Sequence, residues 1–330
     1  MEYSKDIMIA FEYIMPLALV ISLIFSFLFQ RKVIWIIIGS ISVAQVIILA
    51  YRPEDYNSDT FNYSRYIELI SDADGLNIFA VSKFEPVHLG LVSIAGDFRV
   101  WLILEAILCA GLIVGLIRRL QRLESIAIIL GSAVPLFSSS MRFSVGLLAV
   151  AYAMVILPQV RGRSILISTI GLITHVSLII SGFLQRGKLW QILISLIFVL
   201  IYLGSDISIV ERAGGGEDSS AGGTGLRAFL TLLIFLTIVY FRRAGYDPPS
   251  FRRDLMVALL FLLSTIFIYP VFNRFIVLLL IIKSIQFDSL KDKFRRNGRF
   301  KEALTASFLY LLLVIPHLVS MNNKTIAGDW

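Results

Sequence analysis

The sequence predicts an all-α polytopic integral membrane protein with about ten to eleven transmembrane or re-entrant helices, and three observations carry that expectation. Apolar residues make up 57% of the 330 residues, and the mean hydropathy is +0.83. They are gathered into runs such as Ile7 to Phe29, Val33 to Ala50 and Phe229 to Phe241, which approach or exceed the roughly 20 residues that cross a bilayer. Basic residues collect at the ends of these runs. So many runs leave no room for a soluble domain, so residues 1–330 are expected to form a single polytopic membrane domain with outer loops 51–85 and 205–227.

Taken in order, the first run is flanked by Glu2, Lys5, Asp6 and Glu12 and is too long for a cleaved leader, so it is expected to remain as a helix. Arg31 and Lys32 separate it from the second. The clusters at Arg31 and Lys32, at Arg118, Arg119 and Arg122, at Arg161 and Arg163, from Arg242 to Arg253 and from Lys291 to Lys301 mark the cytoplasmic face. The net charge of +7 is therefore topological and does not call for a nucleic-acid partner. The acidic, tyrosine-rich stretch 51–85 then faces outward, as does the amino terminus. Pro86 to Gly96 spans about 16 Å as a helix and reads as a half-helix entering from outside. Val100 to Ile117 is a full span. It holds Cys109, the one cysteine, so no intramolecular disulfide can form. Between Arg163 and Arg242, which belong on one side, lie Ser164 to Phe183, Leu189 to Gly204 and Phe229 to Phe241. That parity requires one of them to be re-entrant or kinked. The glycine-rich Ser205 to Arg227 is either a flexible linker or backbone that approaches a bulky ligand. The phosphate-loop and dinucleotide patterns are absent.

Ionisable residues in or beside apolar runs are costly if they face lipid, which singles out Glu85, Arg142, His175 and Arg274, the last next to Asn273. A guanidinium offers a planar fork for phosphate or carboxylate, so Arg142 either binds an anion or pairs structurally with Glu85 or Asp59. His175 either serves a site or hydrogen-bonds a neighbouring helix, and the second role is expected for His88 and His317. No set of His, Cys and carboxylate residues has ligand spacing, so no metal is expected.

The order Asp59-x-x-x-Tyr63, Phe84-Glu85-Pro86, Met141-Arg142-Phe143-Ser144-Val145-Gly146, Thr174-His175-Val176-Ser177-Leu178-Ile179 and Asn273-Arg274-Phe275 resembles the Wzy-type O-antigen and exopolysaccharide polymerases, in particular the EpsG-like branch. The resemblance covers nearly the whole chain. The chain departs from it at Phe143 and Ser144, where relatives often carry glutamine after the arginine. The resemblance implies a GT-C-like membrane glycosyltransferase of the bacterial inner membrane, with its active site facing the periplasm. It would join undecaprenyl-pyrophosphate-linked oligosaccharide repeat units with undecaprenyl pyrophosphate as leaving group. No cofactor is implied, and the implied partners are those lipid-linked sugars, membrane lipid and a chain-length regulator protein. Arg142, with Arg212, Arg227 and Arg274, would neutralise the pyrophosphate. Glu85, Asp59 or His175 would take the acceptor proton, and Tyr56, Tyr63 and Tyr66 would stack on sugar faces. A ligase of finished glycan is the nearest alternative, and a flippase for the same lipids is the alternative from another class.

Overall fold

The computed structural model describes residues 5–71, 85–157, 162–179, 181–182, 269–288 and 299–327. The described residues form helices and connecting turns without a strand. Among the described residues three helices are long and apolar enough to cross a membrane: Lys5–Leu28, Arg31–Ala50 and Phe98–Arg119. The first comprises α1 (Lys5–Ile24) and a 3-10 turn over Phe25–Leu28; the others are α2 and α5. Asp6 in the first turn of α1 suits the positive helix end. The Asp97 carboxylate caps α5 by accepting from the amides of Arg99 and Val100, at 2.7 and 3.1 Å, and Arg118 and Arg119 fall in its last turn.

The half-helix expected after the polar stretch is α4 (Pro86–Ala95). Proline at its first turn and Gly96 at φ 64 bracket it, and only glycine enters that left-handed region without a Cβ clash. The stretch 51–85 is not loop throughout, which corrects the expectation: its middle is α3 (Ser58–Ser71). The Asn57 side chain starts this helix by accepting from the Thr60 amide at 2.8 Å, and Tyr63, Ile67 and Ile70 form its buried stripe. The stripe is only three residues wide among acidic and amide side chains, so the local polarity hides the period.

After α5 come α6 (Leu123–Ala133), a helical turn over Leu136–Ser139, α7 (Met141–Ile156) and α8 (Arg163–Thr174). The expected span Ser164 to Phe183 is broken. His175 is extended, with φ -164 and ψ 121, and a 3-10 turn over Val176–Leu178 follows, so this segment is one that kinks. Gly171 permits the fold-back, because a Cβ there would lie 2.3 Å from the Leu178 carbonyl oxygen. Two long helices complete the description, α9 (Tyr269–Asp288) and α10 (Arg299–Ala327). The segments Leu189 to Gly204 and Phe229 to Phe241 and the loop 205–227 lie outside the described residues.

The core sits around α6, whose residues from Ser125 to Ala133 are all buried. α10 and α9 pack on it, α1 packs on α2 and α10, and α2 packs on α5. Close approach here comes from small residues, as in membrane helix pairs generally. A Cβ on Gly131 would stand 3.1 Å from the Tyr310 ring, and one on Gly39 would stand 3.4 Å from Ile117.

One end of the bundle gathers three of the basic clusters. Asp288 accepts from the amides of Gln121 and Arg122, Glu302 accepts from the Leu123 amide, and Phe300 meets Phe27 edge-on. The other end gathers Arg52, Asn57, Arg99, Glu85 and Arg142.

Candidate functional site

The helical path between α6 and α7 is interrupted at Pro135 and Ser140, which frees backbone carbonyls in a buried place. Those groups must find donors. Arg52 donates from Nη1 to the Phe137 oxygen at 3.0 Å, and Asn57 donates from Nδ2 to the Ser138 oxygen at 2.7 Å. The carbonyl of Arg52 in turn accepts from Arg99. Arg52 is fully buried, its guanidinium carbon 5.7 Å from the centre of the Phe137 ring and its Nη2 3.7 Å from the Met141 sulfur. The turn after α2 is thus locked to both sides of the break from which α7 begins. Glu12 faces this arginine together with Tyr56 and Ser138, and His317 Nε2 lies 3.9 Å from its carboxylate.

Every residue of Met141 to Gly146 then has a distinct contact. Met141 meets Arg52. Arg142 donates from Nη1 to Glu85 Oε2 at 2.7 Å, and its guanidinium carbon lies 5.3 Å from the centre of the Tyr63 ring. Phe143 packs edge-on against the His175 ring at 5.2 Å. Ser144 donates to the Ala133 carbonyl at 2.7 Å, and Val145 is fully buried. Gly146 lets α7 approach the break after α8, since a Cβ there would stand 2.6 Å from Leu178 and 3.2 Å from the His175 Cβ. Glu85 is positioned by its place at the N-cap of α4, and Tyr63 is held edge-on by Trp101 at 5.4 Å.

One turn along α4 from the ion pair, His88 makes the bond to a neighbouring helix expected of it, and its partner Glu105 is a residue that the sequence did not single out. His88, one turn along α4 from Glu85, bonds the Glu105 carboxylate through Nδ1 and the Thr174 carbonyl through Nε2 at 2.7 Å, and both side chains are 0% exposed. A carbonyl only accepts, so Nε2 carries a hydrogen, and the imidazole and carboxylate share one proton on the other side. This pair ties α4 to α5 and to the residue just before His175. A histidine three residues after a glutamate at a helix start, facing a lone glutamate in the next span, was the signal available. His175 itself is 8% exposed and bonds Ser177 through Nδ1, at 2.7 Å to the hydroxyl.

The structure therefore brings together Glu85, Arg142, Tyr63 and the backbone leading into His175. Among the two open roles for Arg142, it forms the pair with Glu85, at 19% and 11% side-chain exposure. Tyr66 is half-buried on α3. Tyr56 does not join the site: it is 1% exposed beside Glu12, its ring has no face open to a sugar, and burial with that carboxylate pushes its phenol well above the usual range. Asp59 occupies the first turn of α3, and Asn273 and Arg274 lie near the start of α9, with their side chains outside the described set. α9 packs against α7 and the 3-10 turn after His175. Arg212 and Arg227 lie outside the described residues. Among the described residues no group of three His, Cys, Asp or Glu side chains is arranged to hold a metal. Comparison with family models, with curated proteins and with solved structures gives no match.

Proposed function

We propose that this chain is a polymerase of lipid-linked oligosaccharide repeat units, a Wzy-type membrane glycosyltransferase working at the outer face of a bacterial inner membrane. The observation that supports it most is the meeting around Arg142 of segments far apart in sequence: Tyr63 under the guanidinium, Glu85 on its Nη1, and His175 against the ring of the next residue. These are the segments that carry the sequence resemblance.

The reaction would run as a displacement at the anomeric carbon of the growing glycan. The acceptor hydroxyl of the incoming repeat unit forms the new C–O bond, the bond to the pyrophosphate oxygen breaks, and a base takes the hydroxyl proton. Arg142 meets the charge that grows on the pyrophosphate, which a preorganised guanidinium in a site of low dielectric does effectively. Glu85 holds that fork in place and, once pyrophosphate competes for it, is a carboxylate able to accept the proton, as is Asp59. His175 is the third candidate base, with Nδ1 already engaged by Ser177.

The test is to incubate the purified protein with one lipid-linked repeat unit and resolve the products by length. A ladder is expected, and Arg142→Ala should reduce it by about two to three orders of magnitude. Arg142→Lys should restore little, because an ammonium lacks the planar fork. Transfer of a single unit with no ladder would indicate the ligase reading instead. A folded Arg142→Ala protein that builds the ladder at the parent rate would remove the proposal.

A further inference from the structure

At the opposite end of the bundle, α1 with its 3-10 turn and the first half of α2 enclose a cleft of about 250 Å³ lined by Ile21, Ser22, Phe25, Phe29, Ile34 and Ile37. Its walls are apolar apart from Ser22, whose hydroxyl is already turned onto the Ala18 carbonyl. Arg31 stands one turn before Ile34, its guanidinium carbon 5.2 Å from the centre of the Trp35 ring, and Lys32 follows it; both cations are exposed. No acidic residue occurs from Tyr13 to Pro53. The carboxylates at this end bond backbone amides: Asp288 bonds those of Gln121 and Arg122 while its charge also feels Arg31, Glu302 bonds the Leu123 amide, and Glu124 lies with them around Arg122. Neither Arg31 nor Lys32 has a carboxylate within ion-pair distance among the described residues. Two cations in the first turn of a helix oppose its dipole, and an anion at the same place would reverse that cost.

We propose that this cleft is a binding site for an anionic phospholipid, with one acyl chain between α1 and α2 and the phosphate held by Arg31 and Lys32. An apolar slot whose wall at Ile34 lies one helical turn from exposed Arg31, with Lys32 and Trp35 on the same turn, matches a molecule that is apolar along its length and negative at its head. Basic pockets between membrane helices bind such headgroups, and a tryptophan belongs at the depth where headgroup meets chain. The inference is independent of the sugar chemistry, because it concerns the far end of the bundle and needs no turnover.

The test uses the full chain in a neutral detergent, titrated with phosphatidylglycerol, phosphatidylcholine or inorganic phosphate and followed by native mass spectrometry and by Tm. Phosphatidylglycerol should be retained about thirtyfold more tightly than phosphatidylcholine, the ratio that two surface cations confer. The double substitution Arg31→Gln and Lys32→Gln should bring the ratio to about one. Arg118→Gln with Arg119→Gln, which lowers the charge of the same end by as much, should leave it unchanged. Ile37→Phe, which narrows the cleft, should weaken both lipids. Equal retention of the two lipids by the parent protein would overturn the proposal, and that comparison stands even if a variant fails to fold. So would an equal Tm shift with inorganic phosphate alone, a ratio that follows Arg118 and Arg119, or a dimer that excludes lipid.

Discussion

The two ends of this bundle use the same residue types in opposite ways. At the basic end Arg31, Arg118, Arg119 and Arg299 are exposed, and the nearby carboxylates Asp288 and Glu302 are spent on backbone amides. At the polar end Arg52 is fully buried against carbonyls, Arg142 is mostly buried against Glu85, and His88 and Glu105 form a closed pair in the core. An exposed cation loses little by moving, so its position is fixed by topology and its protein partners are weakly specified. A buried one must be matched atom by atom, because an unmatched charge in a dry interior costs several kcal/mol. Buried, partnered charge near one open face is where chemistry is to be sought, and that is what separates the ends.

If this contrast is real, the largest effect should follow from opening the closed pair. Glu105→Ala leaves the His88 imidazole facing a void and should destabilise the protein by about 3–5 kcal/mol, read as a fall in thermal stability in detergent. Pairing it with His88→Ala should cost less than the two single losses together. A Glu105→Ala protein as stable as the parent would mean the pair is not what ties α4 to α5.

The Arg142–Glu85 contact should show a smaller structural effect and a larger catalytic one. Arg142→Ala and Glu85→Ala should be non-additive in stability by about 0.5–3 kcal/mol, the range for residues in direct contact. Additivity in a double-mutant cycle would assign the pair no energetic coupling and sharpen the role of Arg142 toward anion binding alone. A subtler loss should come from Asn57→Ala, which removes both the α3 cap and a donor to the Ser138 carbonyl. It should cost about 0.5–2 kcal/mol, with earlier exchange of α3 amides as the local sign.

The smallest effect belongs to the basic end. Arg118→Gln with Arg119→Gln should change stability by less than about 1 kcal/mol and, on the proposed function, polymer formation by less than about twofold, in keeping with exposed charges. A loss there comparable to that of Arg142→Ala would erase the distinction between the ends.

Much of this was legible in sequence. Of the ten to eleven transmembrane or re-entrant helices expected from the runs, three are long and apolar enough to cross a membrane among the described residues, because bilayer thickness dictates such lengths, and Pro86 with Gly96 bracket the half-helix before any contact is known. The basic clusters at 31–32, 118–122 and 299–301 were legible as one end, since charge at span ends follows a rule of position and not of partners. Parity called for a re-entrant or kinked segment between Arg163 and Arg242, and among the described residues the chain breaks at His175. Partnership was not legible. That Glu85 meets Arg142, that Tyr56 turns inward to Glu12, and that Arg52 and Asn57 hold the carbonyls freed before α7 depend on how helices cross. Periodicity says which face of a helix is apolar but carries no record of which other helix lies against it. The sequence by itself determined the helices and their ends through local hydropathy and charge; the tertiary structure alone decided the pairs, because a buried charge is satisfied by whatever atom packing brings within about 3 Å of it.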